Sequence, residues 1–120
     1  MDEEELKKRT KQLALRVIKL VEALPNTRTA NVIGNQLLRS GTSVGANYRP
    51  ACRGRSKPDF ISKIGVCVEE ADESLYWMEL LVESNVMPKE RLEPLMEEAD
   101  EIVAIFTASS ITARGNVTKK

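Results

Sequence analysis

The sequence predicts an all-α fold, an antiparallel up-down-up-down four-helix bundle, on three observations. Apolar residues recur at helical spacing in four long segments. Strand signals are scarce: aromatics are 4% of the 120 residues, and no sustained apolar/polar alternation occurs. The connections, at 25–29, 54–57 and 86–90, are short, which favours antiparallel neighbours. The length suits one domain, residues 1–120, with one modest core.

Helix 1 is predicted from Glu4 to Leu24, with Leu6, Leu13, Val17, Leu20 and Leu24 on one face. The acids Asp2 to Glu5 suit the positive end of a helix dipole, and Pro25 ends the element. Helix 2 runs from Thr29 or Ala30 to Arg53. Its stripe is Ile33, Leu37, Gly41, Val44, Tyr48 and Ala51 or Cys52, and Gly54 is its stop. Pro50 sits inside it and should kink it between Ala46 and Pro50. Helix 3 opens at Ser56, where "SKPD" resembles a capping box. It carries Phe60, Ile64, Cys67, Ala71, Leu75, Met78 and Val82 inward as far as about Asn85. Helix 4 lies between Pro88 and about Ala113, with Leu92, Leu95, Met96, Ala99, Ile102, Val103 and Phe106 as its stripe. Pro94 cannot donate to residue 90, so 88–92 is expected to be a separate turn, with the regular helix starting near Glu93. The tail, about 114–120, is expected to fray.

Composition narrows the function. With no histidine and two cysteines, Cys52 and Cys67, the commonest general base and the usual nucleophile triads are missing. Structural zinc would be poorly served, and no CxxC spacing is present. Both cysteines fall at or near core stripes and read as small apolar residues. The expectation is no enzyme, no metal and no cofactor. No apolar run reaches the ~20 residues needed to span a membrane. The acidic opening is unlike a secretory signal, so a cytoplasmic location is expected. Net charge is zero but polarised: residues 1–63 hold thirteen Lys/Arg against six Asp/Glu, and residues 64–120 hold five against twelve. That polarity can steer an anionic partner or pair subunits.

The stretch "RSGTSVGANYR" (39–49) looks at first like a phosphate loop. It lacks the Walker spacing, the following lysine and a preceding strand, and GxGxxG is absent. As a helix it reads coherently. Gly34, Gly41 and Gly45 lie on or beside the face of Leu37, Val44 and Tyr48, where small residues let a neighbouring helix approach. Each glycine costs about 1 kcal/mol relative to Ala, which close packing must offset. The other side of helix 2 carries Arg39, Thr42, Ala46, Arg49 and Arg53, and Arg55 and Lys57 extend it. Arginine suits bidentate phosphate contacts. This stripe, Arg39, Arg49, Arg53, Arg55 and Lys57, is the candidate contact for RNA or DNA. No aromatic is interleaved with it for base stacking. The alternative is that the stripe meets solvent or the acidic half of a neighbouring subunit.

Helix 3 is apolar nearly all round. Val66, Tyr76, Trp77 and Leu80 point away from its core stripe and are the candidate oligomer contacts, the alternative being an irregular single-chain core. Leu15, Ile18 and Ile105 also fall off their stripes. The carboxylates of "VEEADESLYW", Glu69, Glu70, Asp72 and Glu73, lack the histidines of a di-iron bundle and read as a salt-bridge face.

Taken together, "QLLRSGTSVGANYR", "RSKPDFISKIG" and "EADESLYWMELL" resemble the four-helix bundle proteins related to the 23S rRNA intervening-sequence protein, over roughly residues 6–113. Gly41, Ser43, Gly45, Asn47 and Tyr48 match the family's helix 2, and Arg55, Ser56, Asp59 and Phe60 match the start of its helix 3. Glu70, Ala71, Glu73, Leu75, Tyr76, Trp77 and Leu80 match the later half of that helix. Position 50 departs, with Pro where the resemblance leads to Ala or Glu. The resemblance implies a bacterial, ring-like homopentamer. A related branch comprises accessory proteins of diversity-generating retroelements, which bind nucleic acid and a reverse transcriptase. For the plain members no biochemical activity is established.

Overall fold

The computed structural model of the chain describes residues 1–118 as four helices, with no strand among them. They are α1 (Glu3–Glu22), α2 (Arg28–Cys52), α3 (Lys57–Glu83) and α4 (Lys89–Thr118). Each of the first three starts on a polar cap. Asp2 accepts from the Glu5 N–H at 2.8 Å, Thr27 from Ala30 at 3.2 Å, and Ser56 from Asp59 at 3.2 Å. The chain leaves α3 through Ser84 and Asn85, whose φ of 63° is the left-handed conformation that Asn tolerates better than most residues. The Val86 and Met87 N–H groups then bond the Leu81 carbonyl and turn the chain toward α4.

The molecule is a rod of 53 × 22 × 20 Å. α2 packs on α3, α3 on α4, and α1 on α2, with a smaller contact between α1 and α4. A Cβ built on Gly34 would lie 2.9 Å from Leu24 Cδ1, one on Gly41 2.8 Å from Val17 Cγ2, and one on Gly45 3.1 Å from Thr10 Oγ1. Positions therefore rise along α2 as they fall along α1. Between α2 and α3, Ser74 hydrogen-bonds Ser40 at 2.9 Å and the Cys67 thiol approaches the Val44 carbonyl at 3.6 Å. The core runs the length of the rod: Leu13 and Val17 from α1, Leu37 and Val44 from α2, Ile64 and Met78 from α3, Ile102 and Phe106 from α4.

Two expectations change. α4 is regular from Lys89, so 88–92 is not a separate turn. Pro94 removes one bond, to Glu90, and both residues are exposed, which leaves that carbonyl open to water. The helix also continues past Ala113 to Thr118. The expected fraying of 114–120 falls in part on Lys119 and Lys120, which lie outside the described residues. α2 runs through Pro50 to Cys52, close to the Arg53 end expected for it. Second, the buried stripe of α3 is Ile64, Cys67, Ala71, Ser74, Met78 and Leu81, while Leu75 and Val82 are only half-buried. A buried seam keeps a 3.5-residue period, and the apolar spacing used to place Leu75 and Val82 drifts off it. Ser74 is admitted because its hydroxyl is satisfied by Ser40 and by the Glu70 carbonyl at 2.8 Å.

Candidate nucleic-acid interface

Small side chains on α2 determine where its cations end up. Gly41 and Gly45 let α1 lie close, so the outward arc of α2 becomes one wall of a shallow groove. Its volume is about 370 Å³. Glu4, Lys7, Lys8, Thr10 and Lys11 of α1 form one side and Arg49 of α2 the other. Ala14, Thr42, Gly45 and Ala46 line the space between them. The Thr42 hydroxyl is held by the Leu38 carbonyl at 2.7 Å, so it is turned back onto its own helix.

Arg39, Arg49, Arg53, Arg55 and Lys57 are all exposed, and none makes an ion pair among the described residues. They do not occupy one line. Arg49 lies at the α1 edge of the exposed arc, and Arg39 lies toward α3, near Glu70. Burial and Glu73 raise the pKa of Glu70, while Ser43 and Arg39 pull it down. Arg55 and Lys57 sit in and just after the α2–α3 turn. There the Asp59 carboxyl is held below its ordinary range, chiefly by a hydrogen bond from Lys63, with the Arg55 backbone and charge adding to it. The positive end of this face is therefore partly offset by one acid.

The lysines of α1 are nearby cations that the sequence reading left out. Lys8 and Lys11 are exposed and three residues apart, so they share a face. The sequence signal was present, but only the packing of α1 against the glycines of α2 brings them opposite Arg49. Lys7 is less available, being paired with Glu3 at 3.2 Å and Glu4 at 3.6 Å. Arg9 is spent on structure: it donates to Glu98 at 2.6 and 3.0 Å and reaches Glu101 at 3.3 Å, tying α1 to α4.

The model of the 23S rRNA-intervening sequence protein family matches residues 2–108. The chain belongs to that family. Among the solved structures that match is a protein of unknown function from the S23 ribosomal protein family of Bacteroides thetaiotaomicron. It is 34% identical, with a TM-score of 0.85, and the match covers 92% of this chain and 98% of that one. No curated protein matches. The matched span of the 23S rRNA-intervening sequence protein family holds the whole basic face and all of α3, and it leaves out the last turns of α4.

On this family member, the outer side of α3 carries Val66 and Tyr76 exposed at 38% and 52%. Trp77 and Leu80 are half-buried against the core. The Trp77 indole donates to Glu73 at 3.3 Å, and the Tyr76 ring lies edge-on at 5.2 Å. Much of the apolar girth of α3 is accounted for within the chain, because α3 is packed by α2 on one side and α4 on the other. Tyr48 points inward and stacks on Phe106 with ring centroids 5.0 Å apart. Cys67 is buried and its thiol is pushed up to about 12 by that burial, whereas Cys52 is half-buried. Among the described residues no three His, Cys, Asp or Glu side chains gather as metal ligands, and no helix is long and apolar enough to cross a membrane.

Proposed function

We propose that this 23S rRNA-intervening sequence protein family member is a non-enzymatic, cytoplasmic, antiparallel up-down-up-down bundle that binds RNA or DNA through its α1/α2 face. The observation that carries the reading is the groove in which Lys8 and Lys11 face Arg49 without ion-pair partners among the described residues. Arg39, Arg53, Arg55 and Lys57 extend its positive field. The reversed order of contacts between α1 and α2 supports the antiparallel arrangement. A fluorescence anisotropy titration at low salt tests the binding. The wild type is expected to bind with a Kd of roughly tens of micromolar or tighter. Changing Arg39, Arg49 and Arg53 together to Ala is expected to weaken binding at least about tenfold. No binding by the wild type contradicts the reading.

A second reading is favoured by the opposite face. Glu69, Asp72 and Glu73 of α3 and Glu93, Glu97 and Asp100 of α4 are exposed. The basic face of one copy could pair with the acidic face of the next and make a scaffold for a protein partner such as a reverse transcriptase. In either case we propose a closed homo-oligomer, a pentameric ring by family likeness, with Val66, Tyr76, Trp77 and Leu80 in its contacts. Native mass spectrometry checks this: Trp77→Ala should shift the population to smaller species, and an unchanged oligomer refutes the assignment.

A further inference from the structure

We propose that the α1/α2 groove takes double-helical nucleic acid by its phosphate backbone and discriminates against single strands. The inference rests on the binding reading above and narrows its ligand.

A protein holds a single strand by two means, cations for the backbone and aromatic rings for the unstacked bases. The groove supplies only the first. Its lining holds no aromatic and no amide side chain. The chain has two Tyr, two Phe and one Trp, and each lies elsewhere. Tyr48 and Phe106 are buried against each other in the core. Phe60 is half-buried on α3, outside the groove, in a recess beside the α2–α3 turn that Lys57 also lines. Tyr76 and Trp77 lie on the outer side of α3 next to Glu73, where a phosphate would be repelled.

The cations are spread along continuous helices: Arg49 lines the groove, and Arg39 to Arg53 span about 21 Å along α2. A duplex presents phosphates at fixed positions along a stiff axis and carries the higher charge density. It meets cations spread over that length without itself being ordered. A flexible strand must be ordered by phosphate contacts alone, with no stacking to offset the loss of freedom.

The test compares a short mixed-sequence oligonucleotide with its own duplex, as RNA and as DNA, in anisotropy titrations of the full chain at low salt. The duplex is expected to bind about tenfold tighter than the single strand. The RNA and DNA arms show which double helix is preferred. Lys8→Glu with Lys11→Glu, both at exposed positions, should lower duplex affinity by at least about tenfold. Equal or tighter binding of the single strand overturns the proposal while leaving the binding reading standing. Duplex affinity unchanged in the Lys8/Lys11 variant removes the groove as the site. No binding of either form overturns both readings.

Discussion

Phe106→Ala should cost about 3–5 kcal/mol of folding stability, at the top of the range expected for truncating a core side chain. Phe106 is fully buried and is the largest side chain so placed. Its ring meets Tyr48 at 5.0 Å, so one contact joins α4 to α2, whose backbones do not approach each other. Truncation removes the transferred ring area, leaves a cavity in a core that collapses only in part, and strips the partner from Tyr48. The Tyr48 hydroxyl is itself held away from water, and that desolvation raises its pKa well above the ordinary tyrosine range. A domain of this size is stable by about 5–15 kcal/mol in all, so the variant would sit near the edge of folding. Urea unfolding at neutral pH measures it. A loss under about 1 kcal/mol would mean that the two ends of the rod do not share one core.

Gly41→Leu is expected to cost about 3 kcal/mol, through crowding instead of a void. Even a methyl at position 41 would come within 2.8–3.1 Å of three Val17 atoms. Val17 is fully buried and β-branched, so it has one strongly preferred rotamer in a helix and cannot swing aside. Gly65→Ala provides the opposite control. Beyond its own helix backbone and chain neighbours, no atom of the described residues lies within 4 Å of a methyl at Gly65, which is also inside a helix. There the helix-propensity gain stands alone, and the variant should be more stable by about 0.5–1 kcal/mol. Two glycines in equivalent secondary structure thus give opposite signs. Thermal melts of the pair check this, and destabilisation of both would show that the close approach at Gly41 is not what sets its identity.

Helix number and most boundaries were legible because caps and apolar periodicity act locally. Ser56 was legible as the cap of α3, while Asp2 and Thr27, which cap α1 and α2, were not singled out as caps. Sequence reasoning weakened where an answer depended on a neighbour. Pro94 looks like a break until its only lost bond is seen to face outward. Leu75 and Val82 are apolar enough for a core stripe, yet Ser74 and Leu81 take the buried positions, because α3 is packed by helices on two sides and Ser40 supplies a partner for the hydroxyl. The arginines of α2 were visible as a row, and the glycines beside them implied that some helix comes close. That the helix is α1, and that it brings Lys8 and Lys11 opposite Arg49, depends on tertiary packing that no local pattern encodes. The Arg9–Glu98 tie was hidden for the same reason, its partners lying at opposite ends of the sequence.

Salt dependence tests the central claim, that the exposed cations of α1 and α2 meet phosphate. Each phosphate neutralised on a duplex contributes about −0.9 to the slope of log affinity against log salt. The account predicts a steep negative slope for the wild type. In the variant with Arg39, Arg49 and Arg53 changed to Ala, the slope should be shallower by roughly 2–3. A wild-type affinity that does not move with salt, or a triple variant with the wild-type slope, would contradict it.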